Sequence, residues 1–560
     1  MRPWTSKSIS LGIAGGLLVL LGASLCLFSP AIFQEILRKE MALSESSKSF
    51  DVWKDTTGLP PIYLNFYFFN WTNPEELTIP GKKPNLVEVG PYSFIEVREK
   101  VNITFHPEND TVSYFQRRFW YFDEEHSNGT LQDKITQLNV VAVSATHKIR
   151  YWYYLTQNAF SYILSSKSNL TVTKTVDELL FNGYEDTIIN MGKVAAAEEV
   201  PPFDRFGWFY KRNGSIDFDG YFNMDTGSGN ISNLGILRNW NYRDTTKYFK
   251  SPCNVIEGSA GEFWPPHRTE DEISLFSADL CRPLIYEFTR KMSYLGIEGN
   301  QYSLGEKTLG NNTRRRYPHE QAKYFEQTTT TEDFFDAEHS AEVTQMPEDT
   351  DDPDVVNLGH CYCNGECTPT GLINITSCRY GAPAFVSLPH FYKADPALRD
   401  QVVGMNPNEE DHNFYITLEP TTGIPLEVAA RLQVNILLQP SHTVSLFKNV
   451  PKIYFPIFWF SLKVQAPKDL ASDLKQFLLL PSICFCAGII ALALGSLILL
   501  SVVLFYIVKR QRKNNAEQLK TETSQNNSSG KKAELVYMDK LATGEDANVR
   551  SDRQLYPKFY

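Results

Sequence analysis

The 560-residue sequence predicts an α+β membrane protein, in which a large antiparallel β domain lies between two transmembrane helices. Three observations predict this fold class. Two long segments without a charged residue lie near the ends of the chain, at residues 8–34 and 477–508. Between them, nine Asn-x-Ser/Thr sequons indicate a surface exposed to the secretory lumen. Short aromatic runs separated by turn residues predict many strands, arranged as a large sheet or barrel.

The first uncharged segment is long enough to cross a membrane. Ile9–Phe28 contains twenty apolar or small residues, which as a helix span about 30 Å, the thickness of a bilayer core. A cleaved signal peptide is the alternative, with Arg2 and Lys7 as its positive n-region. Because the run exceeds the usual apolar region and lacks a convincing cleavage site, we predict a retained anchor.

The second segment fixes the topology of the chain. Five residues, Lys509-Arg510-Gln511-Arg512-Lys513, follow it at once, and such basic clusters mark the cytosolic end of a span. The predicted organisation is a cytosolic N-terminus (1–8), a first span (9–29), an extracellular or luminal domain (30–476), a second span (477–508) and a cytosolic tail (509–560). The predicted glycosylation sites are Asn70, Asn102, Asn109, Asn128, Asn169, Asn213, Asn230, Asn311 and Asn374.

Aromatic and alternating runs predict the first strands of the large domain. Tyr63–Trp71 (YLNFYFFNW), Val87–Val97 and Tyr114–Phe122 read as strands. Asn73-Pro74 and Pro80-Gly81 supply turns between the first two.

Two helices are predicted further along the chain. His147–Lys167 is apolar on most of its helical faces, and Thr175–Leu180 (TVDELL) opens another helix with a cap-like start. Both helices are either part of the core or, for the first, part of an exposed binding surface beside the sequons at Asn128 and Asn169.

The composition changes between residues 305 and 358. Ten acidic residues lie between Glu332 and Asp354, which predicts a solvated, partly disordered insertion. Arg314-Arg315-Arg316 precedes these acids and either pairs with them or forms a patch for an anionic ligand.

The cysteines of the large domain predict a disulfide framework. Six of the nine cysteines lie there, at Cys253, Cys281, Cys361, Cys363, Cys367 and Cys378. In an oxidising compartment an even number indicates three disulfides, and about 15 pairings are possible. A zinc site is the rival, but C-x-C-x3-C fits the usual ligand spacing poorly. Cys253 and Cys281 have no close cysteine neighbours, so each is expected to pair with the 361–378 cluster.

The sequence does not predict an enzyme, a cofactor or a nucleic-acid partner. Asp225-Thr226-Gly227-Ser228 matches half of an aspartic-protease signature, but that chemistry needs a second copy, which the chain lacks. Hydrolase, metalloprotease and nucleotide-binding motifs do not occur. A net charge of -11 without a basic domain argues against nucleic acid.

Several segments together resemble the class B scavenger receptors and the related lysosomal integral membrane proteins. The segments that carry the resemblance are SLPHFYKADP (387–396), GMNPNEEDH (404–412), ITLEPTTGIPLEVAARLQVNI (416–436), TKTVDELLFNGYEDT (173–187), VEVGPYSF (87–94) and FSADLCRPL (276–284). The six-cysteine spacing adds to it, and the resemblance extends over nearly all of residues 8–509.

The resemblance implies a β-barrel-like domain with an apolar tunnel and an apical helical bundle. It implies a cell-surface receptor that binds lipids, lipoproteins or anionic phospholipid on dying cells, passes lipid through the tunnel to the membrane, and is endocytosed with the help of adaptors. A lysosomal lipid transporter or sorting receptor of the same fold is the first alternative. A sensory lipid co-receptor and a membrane-anchored hydrolase are less favoured.

The resemblance also assigns residues. It implies the disulfides Cys253–Cys361, Cys281–Cys378 and Cys363–Cys367. It places the apical ligand region at about residues 156–187, where we name Phe160, Ile163, Leu164 and Lys167 as candidate contacts. In the tail, Tyr556 and Phe559 fit a tyrosine-based sorting signal, with a chance tetrapeptide as the alternative.

Overall fold

The structure is a computed structural model, and it describes residues 6–56, 60–195, 202–316, 354–363 and 366–541. The chain divides into two compact units. One comprises residues 34–478, and the other joins residues 1–33 to residues 479–560. The predicted sorting signal at Tyr556 and Phe559 lies outside the described residues, as does most of the predicted acidic insertion.

The 34–478 unit is built around one antiparallel sheet. Its strands are β1 (Ile62–Trp71), β2 (Leu86–His106), β3 (Thr111–Phe122), β6 (Tyr221–Asp225), β7 (Leu237–Trp240), β8 (Glu272–Ser277), β9 (Arg282–Tyr294), β10 (Ile297–Leu304), β13 (Ile373–Asn374), β14 (Ala384–Ser387), β15 (Tyr415–Leu418), β16 (Pro425–Leu438) and β17 (Ile453–Gln465). The order is β7-β6-β3-β2-β1-β17-β16-β15-β10-β9-β8, with β14 and β13 branching from β16. Two small sheets pair β4 (Lys134–Leu138) with β5 (Thr171–Thr175) and β11 (Arg314–Arg316) with β12 (Val355–Asn357).

The large sheet is nearly closed into a barrel. Its two edge strands, β7 and β8, are bridged by Ser259, which forms isolated bridges with Ile236 next to β7 and with Leu275 in β8. The Ser259 amide donates to the Ser274 carbonyl at 2.9 Å, and the Phe276 amide donates back to the Ser259 carbonyl at 2.9 Å. The bridge satisfies backbone groups that an open edge would leave unpaired.

The described helices have the following bounds: α1 (Ser6–Met41), α2 (Lys48–Lys54), α3 (Val140–Lys148), α4 (Tyr154–Lys167), α5 (Val176–Leu180), α6 (Thr187–Ala195), α7 (Glu306–Leu309), α8 (Leu358–Cys361), α9 (Pro396–Arg399), α10 (Glu409–His412) and α11 (Lys468–Leu541). Short 3₁₀ turns lie at Pro74–Glu76, Ile149–Tyr151, Ile231–Asn233, Thr376–Cys378, Pro389–Phe391 and Ser445–Phe447.

The predicted strands are confirmed, with one extension. β1 and β3 match the predicted ranges within a few residues, and β2 continues nine residues past Val97 to His106. The start of α5 is also as predicted, because Thr175 and Glu178 form a complete capping box.

The predicted helix over residues 147–167 is wrong in its bounds. The helical structure begins earlier, where the Asn139 side chain accepts from the Ala142 amide at 3.1 Å, and α3 ends at Lys148. After a 3₁₀ turn, Trp152 and Tyr153 have extended backbone and α4 starts at Tyr154. The Gln157 side chain donates to the carbonyls of Arg150 and Trp152 and so stabilises the break. The predicted insertion over residues 305–358 is ordered near its two ends. There β11 (Arg314–Arg316) pairs with β12 (Val355–Asn357) in an antiparallel sheet.

Aromatic side chains make up much of the core of the 34–478 unit. Phe66, Phe68, Phe69 and Trp71 of β1 are each at most 1% exposed. Phe66 contacts the rings of Phe94, Phe458 and Phe460 at centroid distances of 5.7, 6.0 and 6.4 Å. Aromatic pairs at these separations add to the stabilisation from burial alone.

The second unit contains the two predicted spans. Helices over Lys7–Met41 and Lys468–Gln525 are long and apolar enough to cross a membrane. Glycines lie where these helices meet: a Cβ added to Gly22 would lie 2.6 Å from the Gly488 carbonyl oxygen, and one added to Gly495 would lie 2.8 Å from that of Gly15. Such small residues allow close helix packing in membranes.

Candidate functional site

The 34–478 unit contains a cavity of about 1340 Å³ that is partly open to solvent. This exceeds the usual volume of a small-molecule pocket, about 300–1,000 Å³. Strands on opposite sides of the barrel and the helices α3, α4 and α6 all contribute to its wall.

The strand β16 shows why the wall of the cavity is apolar. Along residues 430–436 (ARLQVNI) apolar and polar side chains alternate. Ala430, Leu432, Val434 and Ile436 line the cavity, because alternate side chains of a strand face the same side. The polar residues between them face away and are buried by other segments, as where the Gln433 side chain accepts from the His390 amide at 2.7 Å. Sequence reasoning missed this alternation, which marks the cavity wall.

Neighbouring elements complete the apolar part of the wall. Phe458, Phe460 and Leu462 of β17 lie on it beside β16. The helices contribute apolar residues at Val140, Val141, Ala145, Phe160, Ile163, Ile188 and Ile189.

One part of the cavity wall is charged. The basic residues that line it are Arg98, Arg118, Lys148, Arg205, Lys211, Arg212, Lys247 and Arg379. The acidic residues that line it are Glu96, Asp217 and Asp279. The chain as a whole carries a net charge of -11, so the lining has the opposite sign to the protein.

Arg212 is at the centre of the charged part. Its Nη2 donates to Asp219 at 2.8 Å and to Asp279 at 3.1 Å. Burial alone would lower the pKa of Arg212, but the two carboxylates outweigh burial and raise it. For Asp279, burial would raise the pKa, whereas Arg212, Arg118 and Arg379 together hold it well below its usual range. Arg212 and Asp279 are therefore both ionised at neutral pH.

An exposed aromatic surface lies next to the start of α4. We define it as Tyr151, Tyr153, Tyr154, Leu155 and Tyr162, which are between 69% and 88% exposed. No Asp or Glu occurs from residue 134 to residue 176, whereas five Lys and Arg residues do. The surface is thus apolar and carries phenol groups, and the chain segment that contains it has basic but no acidic residues.

The candidate ligand contacts of α4 are divided between the interior and the surface. Leu164 is fully buried, and Phe160 and Ile163 line the cavity. Lys167 is exposed at the end of the helix. The structure therefore places three of the four in or against the interior.

The six cysteines form three disulfides in the structure. Cys253 is bonded to Cys361, Cys281 to Cys378 and Cys363 to Cys367. These are the pairs that the resemblance implies. The first two connect points 108 and 97 residues apart, so each destabilises the unfolded chain by about 4.7 kcal/mol in the chain-entropy model.

The nine sequons differ in exposure. Seven of the asparagines are exposed: Asn102, Asn109, Asn128, Asn169, Asn213, Asn230 and Asn311. Asn70 and Asn374 are half-buried. The Asn70 side chain accepts from the Thr136 amide at 2.9 Å, and the Asn374 Nδ2 donates to the Cys363 carbonyl at 3.4 Å.

Asp225 of the protease-like signature belongs to a structural turn. Its Oδ2 accepts from Arg238 Nε at 2.5 Å. The adjacent Thr226 hydroxyl donates to the Asp110 carbonyl at 2.8 Å, and the Thr226 carbonyl accepts from the Leu43 amide at 2.8 Å.

A buried histidine pair is a feature that sequence reasoning did not identify. The rings of His390 and His412 stack with centroids 4.4 Å apart. His390 Nε2 lies 2.6 Å from Glu88 Oε2, and the Trp459 indole donates to the same oxygen at 2.7 Å. Burial, followed by the neighbouring His390, lowers the pKa of His412 to about 4. Both histidines fall in motifs that carry the family resemblance.

A barrel-like domain with a large cavity, in a chain with two candidate membrane spans, defines an α+β membrane protein. The model of the CD36 family matches residues 13–506. The chain belongs to the CD36 family.

Curated relatives agree with this assignment over most of their length. Protein peste of Drosophila melanogaster is 34% identical over 449 residues, which cover 79% of this chain and 72% of the relative. Scavenger receptor class B member 1 of Rattus norvegicus is 30% identical and covers 90% of both chains. Lysosome membrane protein 2 of Homo sapiens is 30% identical and covers 82% of this chain and 87% of its own. These relatives support a scavenger-receptor role with lipid binding.

Proposed function

We propose that this protein is a scavenger-type receptor that binds lipid in the cavity of its extracellular or luminal domain and passes it to the membrane. In this proposal the domain spans residues 30–476, transmembrane helices lie at residues 9–29 and 477–508, and both tails are cytosolic. The protein is then taken up by endocytosis, with Tyr556 and Phe559 contacting sorting adaptors.

The observation that carries the proposal is the cavity. It combines a volume of about 1340 Å³ with apolar strand faces, such as the one formed by Ala430, Leu432, Val434 and Ile436. Each buried CH₂ of a lipid tail contributes about 0.8 kcal/mol. Relative to water, a tail of about sixteen carbons therefore gains on the order of 10 kcal/mol inside such a cavity, so an apolar path spares the tail this cost between a particle and the membrane.

The aromatic surface supports a role in docking lipid particles. Tyr and Trp side chains combine an apolar ring with a polar group and are enriched where protein meets the lipid–water interface. The nearby positive charges favour an anionic surface, such as phospholipid on lipoprotein particles or on dying cells. In this proposal the surface makes the first contact and the cavity accepts the lipid.

The location that we propose is the plasma membrane, and the lysosomal membrane is the alternative. The relatives include a scavenger receptor and a lysosome membrane protein at similar identity. We propose a binding and transfer function without catalysis, because Asp225 is held in a turn and lacks the second carboxylate of a protease.

Filling the cavity tests the proposal. Ala430 lies on the wall and faces the interior, so Ala430→Trp adds an indole to the lipid path, whereas Ala430→Ser leaves the volume nearly unchanged. The assay is uptake of a fluorescent lipid from reconstituted lipoprotein particles by cells that display equal amounts of each variant.

We expect Ala430→Ser to take up lipid like the wild type and Ala430→Trp to fall to the level of untransfected cells, while particle binding persists in both. Equal uptake by the two variants would show that lipid does not pass through the cavity.

A further inference from the structure

The turn between β9 and β10 presents an apolar side chain to solvent. Tyr294 pairs with Ile297 in the antiparallel register of the two strands, so Leu295 and Gly296 form the turn between them. The Leu295 side chain is 49% exposed. We call the segment Tyr294–Ile297 the hairpin tip.

The backbone of the hairpin tip does not favour a leucine. Leu295 and Gly296 have φ angles of 49° and 79°. Two-residue turns with positive φ at both positions prefer Asn-Gly or Asp-Gly, because these residues tolerate the left-handed region. A leucine at the first position is sterically unfavourable, and its side chain is left in contact with water. Turn formation therefore does not explain Leu295, whereas an apolar contact made by its side chain would.

The hairpin tip packs against the first turns of α11. The Tyr294 hydroxyl donates to the Ala466 carbonyl at 2.8 Å, just before the helix begins. Ile297 is buried in a cluster with Ala471 of α11, and both Tyr294 and Leu478 pack against this cluster. These contacts hold the tip at a fixed position along the helix.

Lys475 relates this position to the second predicted span. A Cβ added to Gly296 would lie 2.9 Å from Lys475 Nζ. Lys475 lies two residues before Phe477, where the uncharged segment begins, which is a rise of about 3 Å along a helix. The headgroup layer extends about 5–8 Å beyond the hydrocarbon core on each side of a bilayer. If α11 crosses the membrane from Phe477 onwards, Leu295 is presented at the level of this layer.

The first predicted span leaves the domain at the same end. Leu37 and Met41 of α1 form a buried cluster with Leu234, and Phe477 of α11 packs against this cluster. Ile424 packs both against this cluster and against the one that contains Ile297. The parts of α1 and α11 that belong to the 34–478 unit, and the hairpin tip, thus lie at one end of the barrel.

The chemistry of the hairpin tip matches the surface of a bilayer. It combines the apolar Leu295 side chain with the phenol ring of Tyr294, and the exposed ammonium group of Lys475 lies beside it. Tyrosine is enriched at membrane–water interfaces, and lysine places its charge among the headgroups while its stem lies along apolar surface.

We propose that the hairpin tip inserts Leu295 into the headgroup layer of the protein's own membrane, as a third membrane contact beside the two helices. The partner is the lipid surface on the extracellular or luminal side, with Lys475 next to the lipid phosphates. This inference rests on the proposed membrane spans. The contact restricts rocking of the barrel on its two helices and keeps this end of the domain against the bilayer.

The test measures how deeply the tip lies in a bilayer. The full chain, with Cys26, Cys484 and Cys486 replaced by Ala and with Leu295→Cys, is labelled with a nitroxide and reconstituted in phosphatidylcholine nanodiscs. The other six cysteines are disulfide-bonded and do not react with the label. Electron paramagnetic resonance then measures collisions of the label with oxygen, which concentrates in the bilayer, and with a water-soluble nickel chelate, which the bilayer excludes.

Two further labelled chains calibrate the measurement. Tyr242→Cys is the matched control, because Tyr242 is 70% exposed and also lies in a turn with positive φ, but at the end of β7 that is distant from Leu234. A chain that retains Cys486 as its single free cysteine reports on the second span, where Cys486 is exposed.

We expect the ratio of oxygen to nickel collisions to be several-fold higher at residue 295 than at residue 242, and highest at Cys486. A second pair of variants carries the label at Ser293→Cys, on the exposed stem of the hairpin. There Leu295→Asn should raise the nickel collisions several-fold without lowering the melting temperature, because asparagine suits the turn but not the membrane. Leu295→Phe should leave the nickel collisions low.

Equal ratios at residues 295 and 242, with Cys486 in the bilayer, would overturn the inference and leave the proposed spans standing. Free access of the nickel chelate to Cys486 would overturn the proposed spans themselves. Unchanged nickel collisions at residue 293 in Leu295→Asn would also overturn the inference. If Leu295→Cys folds poorly, the label at residue 293 beside the native Leu295 decides, since it should collide with nickel less often than the label at residue 242.

Discussion

Acidification should destabilise the 34–478 unit through His412. The His412 ring is 5% exposed, stacks on His390, and its Nδ1 accepts from the Asn408 amide at 2.9 Å. Burial and the neighbouring His390 lower the pKa of His412 from 6.5 to about 4. Because protonation at Nδ1 would break the bond from Asn408, the folded state resists it.

The sign of the effect follows from proton linkage. Below pH 6.5 the unfolded chain protonates this histidine while the folded chain does not, so stability falls as the pH falls from 6.5 towards 4. At about pH 5 the loss is at most about 2 kcal/mol, at 1.36 kcal/mol per pH unit. Partial screening by solvent reduces this to about 1 kcal/mol. His147, whose pKa is lowered to about 3 by burial and then by Arg150, adds a loss of the same sign.

The assay is thermal unfolding of the full chain at neutral pH and at about pH 5, for the wild type and for His412→Gln. The apparent melting temperature of the wild type should fall on acidification, and His412→Gln should lose part of this dependence. His126→Gln is the control, since His126 is exposed. An unchanged pH dependence in His412→Gln, or an equal change in His126→Gln, would refute the reasoning.

Three further predictions concern other parts of the chain. Asn374→Gln should leave the electrophoretic mobility of the protein from the secretory pathway unchanged, because the Asn374 Nδ2 is turned towards the Cys363 carbonyl. Asn128→Gln is the control and should increase the mobility by the mass of one glycan, because Asn128 is exposed. A glycan found at Asn374 would contradict this placement. Gly22→Leu should lower the thermal stability of the detergent-solubilised protein, because a Cβ at residue 22 would lie 2.6 Å from a carbonyl oxygen of the other span. Gly12→Leu is the control and should leave the stability unchanged, because a Cβ there would have no atom within 4 Å. Equal effects of the two substitutions would contradict the helix contact. Tyr153→Ser should weaken binding to anionic vesicles without changing the melting temperature, because this side chain is 88% exposed. Undiminished vesicle binding would exclude the aromatic surface as the docking site.

The sequence predicted the parts of the fold that depend on local pattern. The aromatic run of β1 and the cap of α5 are readable because alternation and capping act over a few residues. The break between α3 and α4 was not predicted, because it depends on an extended backbone at Trp152 and Tyr153 inside an otherwise apolar helical pattern.

The site was less predictable than the fold, because it is assembled from distant segments. Arg118, Arg212 and Arg379 lie far apart in the sequence, and the folding of the barrel brings them to two shared carboxylates. Similarly, Phe160 and Ile163 were assigned to an apical contact, but the packing of α4 places them on the cavity wall. Sequence reasoning could have used one local pattern that it missed. The alternation of apolar and polar residues along Ala430–Ile436 indicates a strand with one apolar face.

The central claim is that lipid occupies the interior of the β domain. Mass spectrometry of lipid extracted from the purified full chain tests it most directly, with Ala430→Trp purified in parallel. We expect the wild type to retain an internal lipid after washing with detergent and Ala430→Trp to retain much less. Equal amounts in the two proteins, or no retained lipid in the wild type, would contradict the account.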